Sequence, residues 1–265
     1  MLFDTHAHYY SSAFNEDRDE VLSSLPGEGV GLVLCPGNDL WSSRRCIEMA
    51  EQYPHIYAAA GIHPEDALNL PEDWLAQIEE MAAHPKVKAI GEIGLDYYWK
   101  EVPHDLQKEV FRAQLALAEK LDMPVIVHDR EAHADCLAIV KEFPKVRGVF
   151  HCYSGSAEDA KTLVKLGWHL SFTGTITFKN SRKAPEVIAA VPIERIMVET
   201  DAPYMAPTPF RGKRCDSRYV YRMAQTIAEI KGLTREEVET ITTENGKRLF
   251  GIEDLAYEPQ QYRHL

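Results

Sequence analysis

Histidine and acidic side chains occur together at several points where an apolar run of the sequence ends. They are His6 and His8, His63, Glu92, His128, His151, and Glu199 with Asp201. Imidazole and carboxylate groups suit a first-row divalent ion or magnesium. A single catalytic ion usually takes about three protein ligands and keeps a position open. A set of this size therefore favours two ions, and paired ions activate water for hydrolysis near neutral pH.

Glu92 is the candidate ligand shared by both ions. It lies in the segment Gly91-Glu92-Ile93-Gly94-Leu95-Asp96-Tyr97, between two glycines. Glycine permits a tight backbone and the close approach of another group or an ion. We therefore expect Gly91 and Gly94 to support Glu92 by leaving the strand end free of side-chain clashes. A surface acid at a turn is the alternative, and only partners elsewhere in the chain argue against it.

Short apolar runs separated by helical patterns must bring these residues together. The runs, rich in β-branched residues, cover 2–6, 31–35, 56–61, 87–92, 125–128, 146–151, 169–173 and 196–200. This alternation predicts parallel strands joined by crossover helices. Eight such units in about 250 residues predict a closed (β/α)8 TIM barrel. An open doubly wound sheet would need a glycine-rich phosphate loop after the first strand, and the sequence has none there.

Helical periodicity is clearest before Pro124 and again in the tail. The first pattern consists of Leu106, Val110, Ala113, Leu117 and Leu121. The tail carries two more patterns, over 219–231 and 235–250, and Thr234 with the acids after it is typical of a helix start. No linker or shift in composition marks a second domain. We therefore predict a single barrel domain over 1–265 with extra C-terminal helices.

In a barrel, the histidines that are scattered along the sequence would lie close together. The carboxyl ends of the strands meet at one mouth of such a barrel, where its active sites are built. Alternate residues of a strand point to the same face, so His6 and His8 are able to hold one ion together. Each histidine taken alone is more often structural, and in one alternative these histidines merely cap the strands.

Composition limits the partners of the protein. The 265 residues include 41 acidic and 29 basic residues, for a formal charge of −12. Nonspecific adhesion to nucleic acid or to an anionic membrane is therefore not expected.

The N-terminus has no signal-peptide pattern and no apolar stretch is long enough to span a bilayer, so we expect a cytoplasmic protein without a membrane partner. The five cysteines form no Cys-x-x-Cys pair, and nothing signals an obligate protein partner.

The motifs also resemble, in order and spacing, those of the TatD family of metal-dependent deoxyribonucleases. They are Asp4-Thr5-His6-Ala7-His8, Gly61-Ile62-His63-Pro64, the Glu92 segment, His128-Asp129-Arg130, Phe150-His151-Cys152-Tyr153-Ser154-Gly155 and Glu199-Thr200-Asp201-Ala202-Pro203-Tyr204. The resemblance covers residues 2 to about 250. It implies an amidohydrolase-like TIM barrel with DNA-directed phosphodiesterase activity, often a 3′ to 5′ exonuclease on single strands or DNA ends.

The resemblance also implies roles for individual residues. One ion would be held by His6, His8, Glu92 and Asp201, and the other by Glu92, His128 and His151. Asp201 would take a proton from the attacking water. Apart from the resemblance, we predict that Glu199, which ends the same apolar run, supports the ligands. Tyr9 and Tyr10 follow His8 where the family often has an acid, and Cys215 replaces a common asparagine.

Substrate contacts are predicted from side chains that follow strands 5, 7 and 8. Arginine suits phosphate oxygens because its planar fork donates two hydrogen bonds. His63 is a candidate phosphate contact or leaving-group donor, since it exceeds the ligands that either ion needs. Tyr153 and other aromatic residues near the mouth could stack on splayed bases or only pack the loops. The cationic candidates are Arg130, Lys179, Arg211, Lys213 and Arg214.

The sequence is also compatible with two other functions. The same centre could hydrolyse an amide, ester or lactone, because paired ions polarise a carbonyl as readily as a phosphoryl group. The chain could also be a non-catalytic barrel that binds metal or a partner. The ligand types are compatible with magnesium, manganese or zinc.

Overall fold

Eight parallel strands form the centre of the computed structural model, which describes residues 1–253. They are β1 (Leu2–Asp4), β2 (Val30–Pro36), β3 (Ile56–Ala60), β4 (Val87–Asp96), β5 (Val125–Arg130), β6 (Gly148–Phe150), β7 (His169–Phe172) and β8 (Ile196–Val198). Each strand pairs with the next one along the chain. This order is the one expected of a barrel built from successive βα units.

The first and last strands meet and close the barrel. The Thr5 amide donates to the Val198 carbonyl at 3.2 Å, and the Asp201 amide donates to the His6 carbonyl at 2.9 Å. An isolated parallel bridge between Ala7 and Ala202 continues the contact. The predicted (β/α)8 TIM barrel is therefore confirmed.

Nine α-helices follow the strands in the described part of the chain. They are α1 (Arg18–Ser24), α2 (Leu40–Gln52), α3 (Trp74–Ala82), α4 (His104–Leu121), α5 (His133–Glu142), α6 (Ala157–Lys165), α7 (Lys183–Ala190), α8 (Tyr221–Lys231) and α9 (Arg235–Phe250). The Thr234 side chain accepts from the Glu237 amide and completes a capping box at the start of α9. Both tail patterns are therefore helices, although α8 starts at Tyr221 after a 3-10 turn.

Several strands end at other residues than expected. β1 ends at Asp4 instead of residue 6, and β8 ends at Val198 instead of residue 200. Beyond these points single hydrogen bonds and the isolated bridge between Ala7 and Ala202 replace the regular ladder. β4 runs on to Asp96, four residues past Glu92, because its end pairs with β5 as far as Arg130.

Apolar residues fill the interior of the barrel away from the mouth. One buried cluster joins inward-facing strand residues, among them Phe3, Leu34 and Met197, to the end of α9. Leu249 and Phe250 of α9 belong to this cluster and close the amino-terminal end of the barrel. Polar side chains are thus left to gather at the opposite end, where the strands finish.

One continuous sheet organises residues 1–253. The prediction of a single domain over 1–265 also includes 254–265, which lie outside the described residues. No helix between residues 1 and 253 is both long enough and apolar enough to cross a membrane.

Candidate metal centre

A buried group of acids and histidines lies at the mouth, around Glu92. Only 2 % of Glu92 is exposed, although its side chain carries a carboxylate. The two carboxylate oxygens face different sets of nitrogen atoms: Oε2 faces His6 and His8, and Oε1 faces His128 and His151. Glu92 therefore lies between two groups of donor atoms, as expected for a shared ligand.

The first group comes from the ends of β1, β4 and β8. His6 Nε2 lies 3.0 Å from His8 Nε2 and 3.2 Å from Glu92 Oε2. Asp201 Oδ1 lies 3.2 Å from His8 Nε2 and 3.8 Å from His6 Nε2. The structure thus brings together the four residues predicted for one ion.

The second group comes from the ends of β4, β5 and β6. Glu92 Oε1 lies 2.9 Å from His128 Nδ1 and 2.8 Å from His151 Nε2. The two histidine nitrogens are 3.2 Å apart. These are the three residues predicted for the other ion.

The spacing within both groups fits a coordinated cation. Metal bonds of about 2.0–2.2 Å in a tetrahedral site put neighbouring ligand atoms roughly 3.3–3.6 Å apart. The distances in both groups, from 2.8 to 3.8 Å, lie around this range. Histidine and glutamate clusters at this mouth are able to bind metal.

Outer carboxylates hold two of the histidines in orientations that suit metal binding. His128 Nε2 lies 2.9 Å from Asp96 Oδ2, which leaves Nδ1 directed at Glu92. His151 Nδ1 lies 3.3 Å from Glu199 Oε1, which leaves Nε2 for the centre. Glu199 is fixed in turn by the Cys152 amide and the Ser171 hydroxyl. Such partners set the tautomer of a ligating histidine and raise its basicity.

The remaining pair is held by aromatic neighbours. The Tyr10 hydroxyl contacts His8 Nδ1 at 3.2 Å. The His6 ring stacks on the His151 ring with centroids 4.0 Å apart. Tyr10 thus stands beside His8 where the family often has an acid, and it provides a polar contact for the ring.

His63 lies beside the second group, but the ring nitrogen that it turns towards the centre carries a proton. Its Nδ1 accepts a hydrogen bond from the Glu65 amide at 3.2 Å, so the ring proton belongs on Nε2. Nε2 faces Glu92 Oε1 at 3.6 Å. Burial and the charge of His128 lower the pKa of His63 to about 3. A neutral ring with a proton on Nε2 is a hydrogen-bond donor, which favours substrate contact over metal ligation.

The electrostatics of the group favour ionised carboxylates. Burial acts to raise the pKa of Glu92, but the charges of His151 and His6 outweigh it and hold that pKa well below its usual range. The pKa of Asp201 is likewise lowered, because its hydrogen bond to His8 outweighs burial. Burial lowers the pKa of His128, but hydrogen bonds to Asp96 and Glu92 raise it to about 9. The metal-free centre therefore holds protons where cations would bind.

The two glycines near Glu92 permit close strand packing. A Cβ atom on Gly94, which has φ +144°, would lie 2.0 Å from the His128 carbonyl oxygen. A Cβ atom on Gly91 would lie 2.8 Å from Ile126 Cβ. The atoms that leave no space for a side chain thus belong to β5. We expected these glycines to keep the strand end open towards the metals, and this explanation of why glycine is needed there is wrong. They support the site by letting β4 pack closely against β5.

The predicted cationic contacts fall into two classes. Arg130, Lys179, Arg211 and Lys213 lie in segments at the mouth, where Lys179 and Lys213 are exposed and the Arg211 guanidinium lies over the Phe178 ring. Arg214 differs because its guanidinium binds Asp17 Oδ1 and Oδ2 at 2.7 and 2.6 Å and the Ala13 carbonyl at 2.8 Å. Arg214 therefore ties two mouth segments together, which argues against a phosphate contact.

The Tyr153 side chain is also buried and hydrogen-bonded within its own loop. It is only 6 % exposed, and its hydroxyl donates to the Ser156 carbonyl at 2.9 Å. This burial argues against the predicted stacking on a base. Exposed rings at the mouth belong instead to other residues, namely Trp41, Tyr98, Trp99 and Tyr204.

Sequence reasoning missed the role of Asp96, although Asp96 lies in the Glu92 segment. Besides contacting His128, its carboxylate accepts from the Tyr98 and Trp99 amides at 2.9 and 3.1 Å. The available signal was its place four residues after Glu92 on a strand, which puts both side chains on one face.

The chain is similar to known proteins over nearly its whole length. A family model described as TatD related DNase matches residues 3–251. The chain is 48 % identical to the uncharacterized metal-dependent hydrolase YabD of Bacillus subtilis, over 95 % of this chain and 100 % of the relative. It is 33 % identical to the 3′-5′ ssDNA/RNA exonuclease TatD of Citrobacter rodentium, over 95 % of this chain and 98 % of the relative.

The fold agrees with a solved relative. The crystal structure of YJJV, a TatD homolog from Escherichia coli K12, superposes with a TM-score of 0.89 at 30 % identity. The alignment covers 95 % of this chain and 98 % of that chain.

Proposed function

The chain belongs to the TatD family of metal-dependent hydrolases, and from this premise we propose that it is a deoxyribonuclease that cleaves phosphodiester bonds. The proposed substrate is single-stranded DNA or a DNA end, degraded from 3′ to 5′. Relatives named as ssDNA/RNA exonucleases support this assignment, since each aligns over nearly the whole chain.

The proposed centre holds two divalent ions, magnesium, manganese or zinc. The single observation that carries this proposal is that the two oxygens of Glu92 face two separate groups of nitrogen donors. His6, His8 and Asp201 complete one group, and His128 and His151 complete the other. A mononuclear site would leave one of these groups without a purpose.

Paired divalent ions generate a nucleophile from water near neutral pH and stabilise charge on the attacked group. The residues of the chain perform the remaining tasks. Asp201, held as a carboxylate beside His8, accepts a proton from the attacking water. His63 donates its Nε2 proton in a hydrogen bond to a phosphate or leaving-group oxygen. Asp201 and His63 are both buried residues, which limits the access of competing water to them.

Local positive charge reconciles a phosphodiester substrate with an acidic protein. The formal charge is −12, so the attraction of an anionic strand must come from the mouth itself. Arg130, Arg211, Lys179 and Lys213 lie there, and among the described residues no carboxylate forms a salt bridge with any of the four. Arginine in particular matches phosphate oxygens with two parallel hydrogen bonds.

Nucleotide release from a labelled single strand tests the proposal. Purified protein is treated with a chelator, supplied with Mg²⁺, Mn²⁺ or Zn²⁺, and mixed with oligonucleotides labelled at either end. We expect metal-dependent release of mononucleotides, with the 3′ label freed first. Glu92→Gln should reduce the rate by more than the roughly 100-fold that loss of an outer partner costs.

Two results would contradict the proposal. The absence of metal-dependent release would leave a non-catalytic barrel, and faster turnover of an amide, ester or lactone would indicate a carbonyl substrate. Leu166→Ala, an exposed substitution at the turn between α6 and β7, serves as the control and should behave like the unaltered protein.

A further inference from the structure

Large apolar side chains that are exposed to solvent concentrate at the mouth. The described residues include eight of them, and six lie in or beside the connections that follow β2, β3, β4 and β8. These six are Trp41, Leu68, Tyr98, Trp99, Tyr204 and Met205. The other two, Met1 and Leu166, lie towards the amino-terminal ends of the strands. Exposed apolar surface that gathers in one place marks a binding site.

One group of these rings adjoins the donor group of His6, His8 and Asp201. We name Tyr10, Trp41 and Tyr204 the Trp41 patch. Trp41 is 59 % exposed and Tyr204 is 58 % exposed. Tyr10 joins them to the centre, since its ring centroid lies 6.2 Å from that of Trp41 and 5.5 Å from that of His8. The Tyr204 ring lies 6.4 Å from the His8 ring.

A second group adjoins the donor group of His128 and His151. We name Tyr98, Trp99 and Arg130 the Trp99 patch. Tyr98 and Trp99 are 47 % and 45 % exposed. The Arg130 guanidinium carbon lies 3.9 Å from the Tyr98 ring centroid and 6.0 Å from that of Trp99. The patch thus combines ring faces with a cation, which is the combination that binds a base and its phosphate.

The Asp96 carboxylate links the Trp99 patch to the metal centre. One oxygen accepts from the backbone amides of Tyr98 and Trp99, and the other contacts His128 Nε2 at 2.9 Å. The aromatic segment is therefore fixed by the same side chain that orients a predicted metal ligand. A ligand seated on this patch would lie at a set place relative to the centre.

The two patches adjoin different donor groups of the centre. The Trp41 patch comes from the connections after β1, β2 and β8, which are neighbours in the barrel. The Trp99 patch comes from the connection after β4 and from the end of β5, two to four strands away around a barrel of eight. The donor groups that the patches adjoin face the two different oxygens of Glu92. A ligand that reaches both patches therefore extends from one donor group to the other.

We propose that the Trp41 patch and the Trp99 patch each stack a base, on either side of the bond that is cleaved. This proposal rests on the proposed function and specifies its substrate as a single strand whose bases are unstacked from one another. Bases paired in a duplex have their faces covered by neighbouring bases and cannot reach two separate patches. Arg130 supplies the positive charge that a nucleotide requires and an apolar peptide does not.

Binding of single-stranded oligonucleotides tests this proposal independently of hydrolysis. Fluorescence anisotropy is measured on metal-loaded protein with phosphorothioate-linked oligomers, which resist cleavage. Two oligomers are compared, one with bases and one abasic throughout. Trp41→Ala and Trp99→Ala should each weaken binding of the base-bearing oligomer on the order of tenfold. Binding of the abasic oligomer should change by less than about twofold in either variant.

Controls separate stacking from general damage. Trp41→Phe should recover most of the lost affinity, because phenylalanine keeps a ring face. Leu166→Ala should leave both affinities unchanged, since it removes exposed apolar surface far from the mouth. Metal content and thermal midpoint of both alanine variants should match those of the unaltered protein.

Three outcomes would overturn the proposal. Equal weakening of base-bearing and abasic oligomers, no weakening of either, or duplex binding as tight as single-strand binding each contradicts base stacking. Hydrolysis is measured separately, so a protein that binds single strands through these rings without cleaving them would contradict the proposed function, although base stacking on the two patches would still be supported.

Discussion

Glu92 combines deep burial with an ionised carboxylate, and its neighbours explain how both are possible. Removal of a carboxylate from water is costly unless it is paired. Its two oxygens are surrounded by the nitrogens of His6, His8, His128 and His151. A divalent ion on either side would replace protons on these nitrogens as the compensating charge. His128 and His151 in particular are therefore able to bind either a proton or a metal ion.

Asp96→Asn tests whether the orientation of one histidine controls metal binding. The amide keeps the size of the side chain, but it no longer provides a charged acceptor for His128 Nε2. We expect metal affinity to fall by roughly 10- to 100-fold, as measured by titration of metal-free protein with Zn²⁺ or Mn²⁺. Unchanged affinity would show that His128 does not depend on this contact.

Asp122→Asn is the matched control for Asp96→Asn. Asp122 has φ +51° at the end of α4, a conformation that asparagine also tolerates. Its side chain is 86 % exposed and pairs with Arg147, and exposed pairs contribute little to stability. The same chemical change should therefore leave metal affinity as it was.

Proton competition gives metal binding a defined dependence on pH. The pKa of His128 is about 9 in the metal-free protein, and the pKa of His151 is raised well above its usual range because the charges of Glu92 and Glu199 outweigh burial. Both rings therefore hold protons at pH 7, and the ion must displace them. Metal affinity should rise with pH up to about 9, on the order of tenfold per pH unit for each proton displaced.

Calorimetry in buffers with different ionisation enthalpies measures these protons directly. At pH 7 we expect net proton release when metal binds. Binding without proton release, or affinity that is constant between pH 6 and pH 8, would contradict the assignment of His128 and His151 as ligands.

At the scale of elements, the contact between β4 and β5 sets the position of the second donor group. β4 supplies Glu92 and Asp96, and β5 supplies His128. The two strands pair from Ile90 to Asp96, with an irregularity between Ile90 and Ile93. Gly94 lies opposite His128 in this register, where there is no space for a side chain.

Gly94→Ala should therefore damage both stability and the centre. The new Cβ atom would meet the His128 carbonyl oxygen at 2.0 Å, so one strand has to move. We expect the free energy of unfolding to fall by at least about 2 kcal/mol, as measured by urea denaturation, together with weaker metal binding. Normal stability would contradict the close packing described here.

Gly167→Ala separates crowding from backbone strain. Gly167 also has a positive φ, +93°, but nothing lies within 4 Å of a Cβ atom built there. This variant should lose about 1 kcal/mol, the cost of the conformation alone, and should keep its metal affinity.

The sequence predicted the barrel, and the gathering of histidines and acids at its mouth, for a simple physical reason. Strand and helix alternate visibly in the chain, and the carboxyl ends of parallel strands meet at one mouth. Histidines and acids at those ends are therefore close in space whatever the detailed packing. Glu92 and His128 could therefore be predicted to lie near each other from the sequence.

Contacts between loops were beyond this reasoning. Arg214 binds Asp17, which is nearly two hundred residues away in the sequence. The sequence therefore gives no sign that the Arg214 guanidinium is already paired with a carboxylate. Tyr153 was predicted to meet substrate, but its local loop buries it. The residues of the two aromatic patches lie after or at the ends of five different strands. Only the exposure of Trp41 in the folded molecule distinguishes it from a core residue.

At the scale of the whole molecule, every side of the barrel contributes to one centre. The donor atoms come from the ends of β1, β4, β5, β6 and β8, and α9 closes the opposite end with apolar side chains. The barrel thus separates a stabilising end from a reactive one. The central claim is that this reactive end is built for two ions that share Glu92.

Anomalous diffraction from crystals of the protein loaded with Mn²⁺ tests that claim most directly. We predict two anomalous peaks about 3.5–4 Å apart, one beside His6, His8 and Asp201 and the other beside His128 and His151, with a Glu92 oxygen next to each. A single peak, or peaks that Glu92 does not touch, would contradict the account.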